Sequence, residues 1–253
     1  MDCQKTEEII ISFIRDEVRS AGLENAVVGL SGGIDSSVVA TLAIKALGKD
    51  HVYALIMPSK TSSAQNIEDA RQLAESSAVA SHVFDLTEMA DAYFKYFPNA
   101  DPIRKGNMMA RLRMALLYDQ AALHKALVMG TGNKTEIFLG YFTKYGDGGV
   151  DIEPIGDLYK KEVKELAGFL NLPRKIIEKK PTADLWVGQT DEGELGLSYN
   201  SADAILSFLV DKKYEPQKIL SLGYNTEEIE RVTSMLTRSE HKRIIPKIPK
   251  IVR

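Results

Sequence analysis

Apolar residues at Ile9, Ile10, Phe13, Ile14 and Val18 recur at helical spacing, which predicts an outer amphipathic helix over 5–21 with acidic residues near its start. Three short runs of unbroken apolar character follow, AVVGL at 26–30, VYALIM at 52–57 and ALVM at 126–129. Such runs fit strands buried on both faces. SHVFDL at 81–86 is a weaker fourth. Helical patterning between them, at 36–47, 64–78, 87–96 and 106–125, produces a β-α alternation. That alternation implies right-handed crossovers and an open, doubly wound parallel sheet with flanking helices, an α/β fold. The second half patterns as helix at 158–170, 201–210 and 226–237, and no repeat or low-complexity linker divides the chain. Residues 1–253 therefore read as a single domain with a helical C-terminal portion.

Two segments stand out from this frame. The helix over 106–125 carries Met108, Met109, Leu112, Met114, Leu116, Leu117, Tyr118 and Leu123, leaving few polar positions around its circumference. It should be covered on more than one side, either as a central core helix or as part of a subunit interface. The stretch 179–200, KKPTADLWVGQTDEGELGLSYN, is long, polar and poor in periodicity, the pattern of a lid. Trp186, the only tryptophan, reads as a lid anchor or as a half-buried packing residue; 58–65, PSKTSSAQ, is a second candidate mobile loop.

With 32 basic and 35 acidic side chains, a net charge of −3, 44% hydrophobic and 26% charged residues, the composition is that of a globular protein, neither disordered nor fibrous. The absence of a long basic block argues against binding nucleic acid through its phosphates. No stretch approaches eighteen uncharged apolar residues and the first residues lack a signal-peptide pattern, so neither membrane insertion nor secretion is expected. The single cysteine, Cys3, supports no internal disulfide and no zinc site, which points to a reducing cytoplasm.

Ligands of open α/β sheets bind beyond the carboxyl ends of the strands. After the first strand comes Gly29-Leu30-Ser31-Gly32-Gly33-Ile34-Asp35-Ser36, leading into a helix. Glycines here let backbone N–H groups converge on an anion at a helix N-terminus, so phosphate is the natural guest. A Walker loop would need a lysine that is absent, and a Rossmann fingerprint would need glycine at 31 and 34, where Ser and Ile stand. A purely structural reading is that Ser31, Asp35 and Ser36 cap the helix. SGGIDS after a strand resembles the pyrophosphate loop of the N-type ATP pyrophosphatases, which implies that Asp35 is a magnesium ligand.

The third strand is followed by GTGNKTE at 130–136 and GYFTKYGDGGVD at 140–151. Together with KKPTADLW, QTDEGELGLSYN and His241-Lys242, these motifs are similar to those of the ammonia-using NAD synthetases over most of the chain. The resemblance implies an adenine nucleotide alpha hydrolase-like fold. It also implies ATP-dependent amidation of nicotinic acid adenine dinucleotide (deamido-NAD) through an adenylated substrate, with release of AMP and pyrophosphate. Carried over position by position, it makes Asp35 and Glu136 the protein ligands of Mg²⁺. Gly29 to Ser36, Thr131, Lys160 and Thr182 are the expected ATP contacts. Arg111, Lys144, Asp151, His241 and Lys242 are the expected dinucleotide contacts, and the assembly a homodimer. Asp35, Glu136 and Lys160 are the expected catalytic group, with Lys160 stabilising the transferred phosphate.

The chain departs from the GTDHAAE form of this motif common in the family, with Gly132 and Asn133 in place of Asp and His. Read without the resemblance, Lys160 in LYKKEVKEL is a surface ion-pairing residue, Glu136 an exposed first-turn carboxylate, Lys144 and Asp151 loop charges, and His241-Lys242 part of a solvated basic tail. A glutaminase would need a cysteine nucleophile, and Cys3 lies beside a helix with no domain around it. Ammonia, free or delivered by a separate chain, is the expected nitrogen donor. The alternatives are another amide-forming ATP pyrophosphatase and a non-catalytic adenine nucleotide-binding module.

Overall fold

The computed structural model describes residues 1–182, 184 and 189–251. Helix α1 (Cys3–Ser20) begins two residues before its predicted start, because the Asp2 carboxylate accepts the Lys5 N–H and caps it. It buries Ile10, Ile14 and Val18. Then follow β1 (Asn25–Gly29), α2 (Ile34–Leu47), β2 (Val52–Ile56), α3 (Ala64–Ser76), β3 (Ala80–Val83), α4 (Thr87–Phe94), α5 (Pro102–His124) and β4 (Ala126–Met129). The strands form one parallel sheet in the order β3-β2-β1-β4, with Val28 of β1 opposite Ala54 of β2 and Met129 of β4.

The sheet is covered on both faces, as the apolar runs require. Ala26 and Val28 turn toward α1 and α2 and pack with Ile14, Val39 and Leu42. Val27, Leu55 and Val128 turn the other way, toward Leu86, Met109 and Leu117. The edge strand β3 is exposed along its length and stops at Val83, three residues before the predicted end. Strand order reverses between β1 and β4, which opens a crevice beyond their carboxyl ends.

Helix α5 is longer than its apolar pattern indicated. Asp101 accepts the Arg104 N–H and Pro102 occupies the first turn, so the helix begins four residues early. One face packs on β1 and β4 through Met109, Ala110, Leu117 and Ala121, while Ile103 and Leu123 stay about two-thirds exposed, at 67% and 69%. Other faces of the helix are covered by α4 and by the loop after α6, where Thr143 donates to Asn107 and Asp151 accepts from Tyr118, so α5 is covered on more than one side as expected, with an exposed strip left over.

The remainder is helical: α6 (Lys134–Leu139), α7 (Lys160–Phe169), α8 (Arg174–Ile177), α9 (Asp191–Leu195), α10 (Tyr199–Leu206, continued by a π-turn to Asp211), α11 (Pro216–Ser221) and α12 (Thr226–Arg238). Leu139, Leu195, Tyr199, Ile205, Ile229 and Val232 form its core. The expectation of a structureless stretch over 179–200 is corrected here. Helix α9 and the first turn of α10 lie inside it, the former too short to show a period yet held by the buried Leu195. Trp186 lies outside the described residues. None of the described helices is long and apolar enough to cross a membrane.

Candidate functional site

Beyond β1 the chain passes through Gly32 in the left-handed region, φ +77°, and enters α2 with Gly33 as its cap. A Cβ on Gly32 would overlap the backbone carbonyl of Asn66 in α3, so only glycine fits where the loop meets that helix. Ser31 and Ser36 stitch the loop internally. The Ser36 hydroxyl accepts the Ser31 N–H at 3.2 Å and donates to the Gly33 carbonyl at 3.1 Å. Lys179 fastens the loop from outside, its Nζ donating to the Gly32 carbonyl at 3.0 Å and to Asn66 Oδ1 at 2.9 Å, and pairing with the buried Asp69 at 2.5 Å.

Asp35 in the first turn of α2 and Glu136 in the first turn of α6 follow β1 and β4, the two strands on either side of the crevice. Lys160, the first residue of α7, inserts between them, with Nζ 2.6 Å from Asp35 Oδ2 and 3.0 Å from Glu136 Oε1. Helix α7 begins there because Glu162 accepts the Tyr159 N–H, while the Thr135 hydroxyl accepts the Lys160 N–H and Asp203 the Lys161 N–H. Lys160 is buried, so the surface ion-pair reading does not hold. Asn133, which replaces His in the motif, caps α6 by accepting the Glu136 N–H and donates to Asp35 Oδ1 at 3.0 Å. Tyr199 completes the wall, its hydroxyl donating to Asp191 Oδ2 at 3.0 Å and lying 3.4 Å from Glu136 Oε1.

Charge and burial compete at this centre. Desolvation raises the Glu136 pKa, Lys160 opposes the rise and Asp35 adds to it. Burial alone would discharge Lys160, but the two carboxylates outweigh it and hold the ammonium charged. The Tyr199 pKa is pushed up by burial and by the carboxylates around it, so the phenol stays protonated and can donate to Asp191.

Asp35, Glu136, Lys160 and Asp191 line a cavity of about 730 Å³. Of the expected ATP contacts, all line it except Gly32. Of the expected dinucleotide contacts only Lys242 does, donating to the carbonyls of Gly140 and Phe142 at 2.7 Å each. Arg111, Lys144 and His241 gather beside it, since Arg111 Nη2 reaches the Lys144 carbonyl at 3.4 Å and Lys144 Nζ the His241 carbonyl at 2.5 Å. Asp151 is engaged elsewhere, accepting the Tyr118 hydroxyl at 2.9 Å and the Val128 N–H at 2.8 Å. Sequence reasoning missed Asp69, Asn133, Asp191, Tyr199 and the role of Lys179. Lys179, Asp191 and Tyr199 lay within quoted motifs, and Asn133 was noticed only as a departure. Nothing local marked Asp69.

A family model described as NAD synthase matches residues 7–246. The chain belongs to the NAD synthase family. It is 48% identical over 256 residues to the NH(3)-dependent NAD(+) synthetase of Methanosarcina mazei, covering 99% of this chain and 100% of that one. Among solved structures it is similar to NMN synthetase from Francisella tularensis, at a TM-score of 0.89 and 34% identity over 99% of this chain and all of that one. It is similar also to the NH3-dependent NAD synthetase of Campylobacter jejuni, at 0.85 and 35% with the same coverage. The parallel sheet with its helical C-terminal portion is thus the adenine nucleotide alpha hydrolase-like fold of this family. The chain is an enzyme of the NAD synthase class, a ligase forming a carbon–nitrogen bond.

Proposed function

We propose that this NAD synthase-family chain transfers AMP from ATP onto the carboxylate of deamido-NAD, releasing pyrophosphate, and that ammonia then displaces AMP to form NAD. The observation that carries this reading is the placement of Asp35, Lys160 and Glu136 beside the glycine loop, at the strand ends of one deep cavity. A carboxylate is a poor electrophile toward ammonia; as a mixed anhydride with AMP it has a good leaving group. The chain's share is positioning and charge neutralisation. Backbone N–H groups of the glycine loop receive the departing pyrophosphate, and Lys160 faces the transferred phosphate. Thr131 and Thr182 complete the ATP contacts.

Asp35 and Glu136 offer carboxylate oxygens from neighbouring strand ends, a donor set suited to Mg²⁺, which takes one or two carboxylates alongside substrate phosphates. Bound there, the ion would supply further neutralisation of phosphate charge. Lys160 holds the two carboxylates together in its own right, keeping both available on one side of the cavity.

Arg111, Lys144, Asp151, His241 and Lys242 are the proposed dinucleotide contacts. The half-exposed face of α5, with Ile103 and Leu123, and the exposed Met89, Tyr93, Tyr96 and Phe97 of the α4 region support a homodimer through these helices. Light scattering of the wild type and of Leu123→Glu tests it, with a dimer expected for the first and monomer for the second. A cytoplasmic location accords with the lone thiol.

A second acceptor is favoured by the likeness to an NMN synthetase, namely nicotinic acid mononucleotide. One assay separates the readings. The protein is incubated with ATP, Mg²⁺, ammonia and either acceptor, and products are resolved by chromatography. NAD, AMP and pyrophosphate are expected; preferential amidation of the mononucleotide would shift the substrate, and ADP or no turnover would overturn the reading.

A further inference from the structure

Five cationic side chains line the cavity, and most are already committed. Lys160 is shared by Asp35 and Glu136, Lys179 by Asp69 and Asn66, and Lys242 by two backbone carbonyls. Lys180 is exposed. Arg113, from α5, is different. Its Nε donates to the Met57 carbonyl just past β2 at 3.1 Å, which fixes the plane of the guanidinium. Nη1 and Nη2 have no hydrogen-bond partner among the described residues, and no ion pair reaches them.

The guanidinium is half-buried and lines the cavity, so its unused terminal donors are open to a ligand bound there. Burial presses its pKa down, and Asp184 and Asp147 counter this through space without touching it. Asp184 is held away by its own bonds, its Oδ2 accepting the Ser63 N–H at 2.8 Å and the Asn66 side chain at 2.9 Å. The result is a fixed, charged fork facing a cavity, the shape that binds a carboxylate or phosphate through two parallel N–H···O bonds.

We propose that Arg113 binds an oxyanion of the bound reactants, through its free terminal nitrogens, and so contributes directly to substrate recognition. The proposal rests on the NAD synthetase reading for its two candidate oxyanions, the carboxylate to be amidated and a phosphate of ATP. Both present the same planar or pyramidal set of acceptor oxygens to the fork.

Calorimetric titration of the full chain and of Arg113→Gln and Arg113→Lys with Mg-ATP, deamido-NAD and NAD tests it. NAD differs from deamido-NAD at the amide in place of the carboxylate. If Arg113 reads the carboxylate, Arg113→Gln weakens deamido-NAD by about 10- to 100-fold while NAD and ATP are unchanged. If it reads a phosphate of ATP, ATP alone weakens by that range, and ATP–pyrophosphate exchange falls with it. Arg113→Lys keeps the charge without the fork and should recover only part of the loss. Unchanged affinity for both ATP and deamido-NAD in either folded variant overturns the proposal, as does an equal loss for all three ligands. Should the wild type make no NAD, the functional reading fails, and Arg113 is still judged on its ATP affinity.

Discussion

Lys160 Nζ lies 2.6 Å from Asp35 Oδ2, although 125 positions separate them in the chain. The same nitrogen reaches Glu136 at 3.0 Å, so one ammonium joins the ends of β1 and β4 through α7. Removing it leaves two neighbouring carboxylates without their common counter-charge and, on the proposed mechanism, the transferred phosphate without a fixed cation. Lys160→Ala is expected to slow adenylate formation about 100- to 1,000-fold, the range seen when one preorganised donor is lost. Pyrophosphate release in single-turnover experiments measures this, and a rate within threefold of the wild type would refute the role assigned to Lys160.

Gly32 and Gly22 form a matched pair. Both have positive φ, +77° and +71°, but a Cβ at 22 meets open space whereas one at 32 runs into the Asn66 carbonyl. Each substitution to alanine carries a backbone strain of about 1 kcal/mol. Only Gly32→Ala must also displace the glycine loop from α3. Gly22→Ala should therefore lower the melting temperature slightly and leave ATP affinity alone, while Gly32→Ala weakens ATP binding at least about tenfold. Equal ATP affinities for the two variants would show that the loop is not held where it meets α3.

The contrast between these sites shows what could be read from residue order. SGGIDS and GTGNKTE were legible because each packs its chemistry into one contiguous turn after a strand, and the strands themselves were legible because burial on both faces leaves an unbroken apolar run. Lys160 read locally as a surface residue among Glu162, Lys164 and Glu165; its burial comes from the docking of α7 against Asp35 and Glu136, which no window of sequence contains. Asp69 sits in the mostly polar helix α3, where a carboxylate is unremarkable, and only the fold brings Lys179 to it. The start of α5 was missed because residues 102–105 show no apolar period, although the Asp101-Pro102 pair carried a helix-start signal.

Asp69 supplies another test of how the glycine loop is positioned. It is 1% exposed and takes charged hydrogen bonds from Lys175 and Lys179, which outweigh the desolvation that would raise its pKa and bring it down to about 2. Asp69→Asn keeps the shape but removes the charge that holds Lys179 on the Gly32 carbonyl. With the loop less ordered before ATP arrives, KM for ATP should rise about three- to tenfold with kcat within about twofold, on the scale of one weakened charge-assisted hydrogen bond. Initial rates at varied ATP decide this. A lower melting temperature with unchanged KM would confine Asp69 to a structural role.

Glu153 tests the second motif from beneath. Its carboxylate fills the space left by the missing side chain of Gly130 and accepts the Gly132 N–H at 2.9 Å. Desolvation pushes its pKa up to about 8; the Gly132 N–H opposes this, and Glu136 and Asp147 add to the rise. Below the ordinary value of 4.5 the group is protonated in both folded and unfolded chains and has no effect on stability. Between 4.5 and about 8 the unfolded chain gives up the proton first, so the folded state loses stability as pH rises, and above about 8 the loss is complete. Glu153→Gln retains an acceptor for Gly132 and cannot ionise. Its melting temperature should exceed that of the wild type by a few degrees at pH 8 and nearly equal it at pH 5, as differential scanning fluorimetry would show. A difference of the same size at both pH values would mean that Glu153 does not change its protonation on folding.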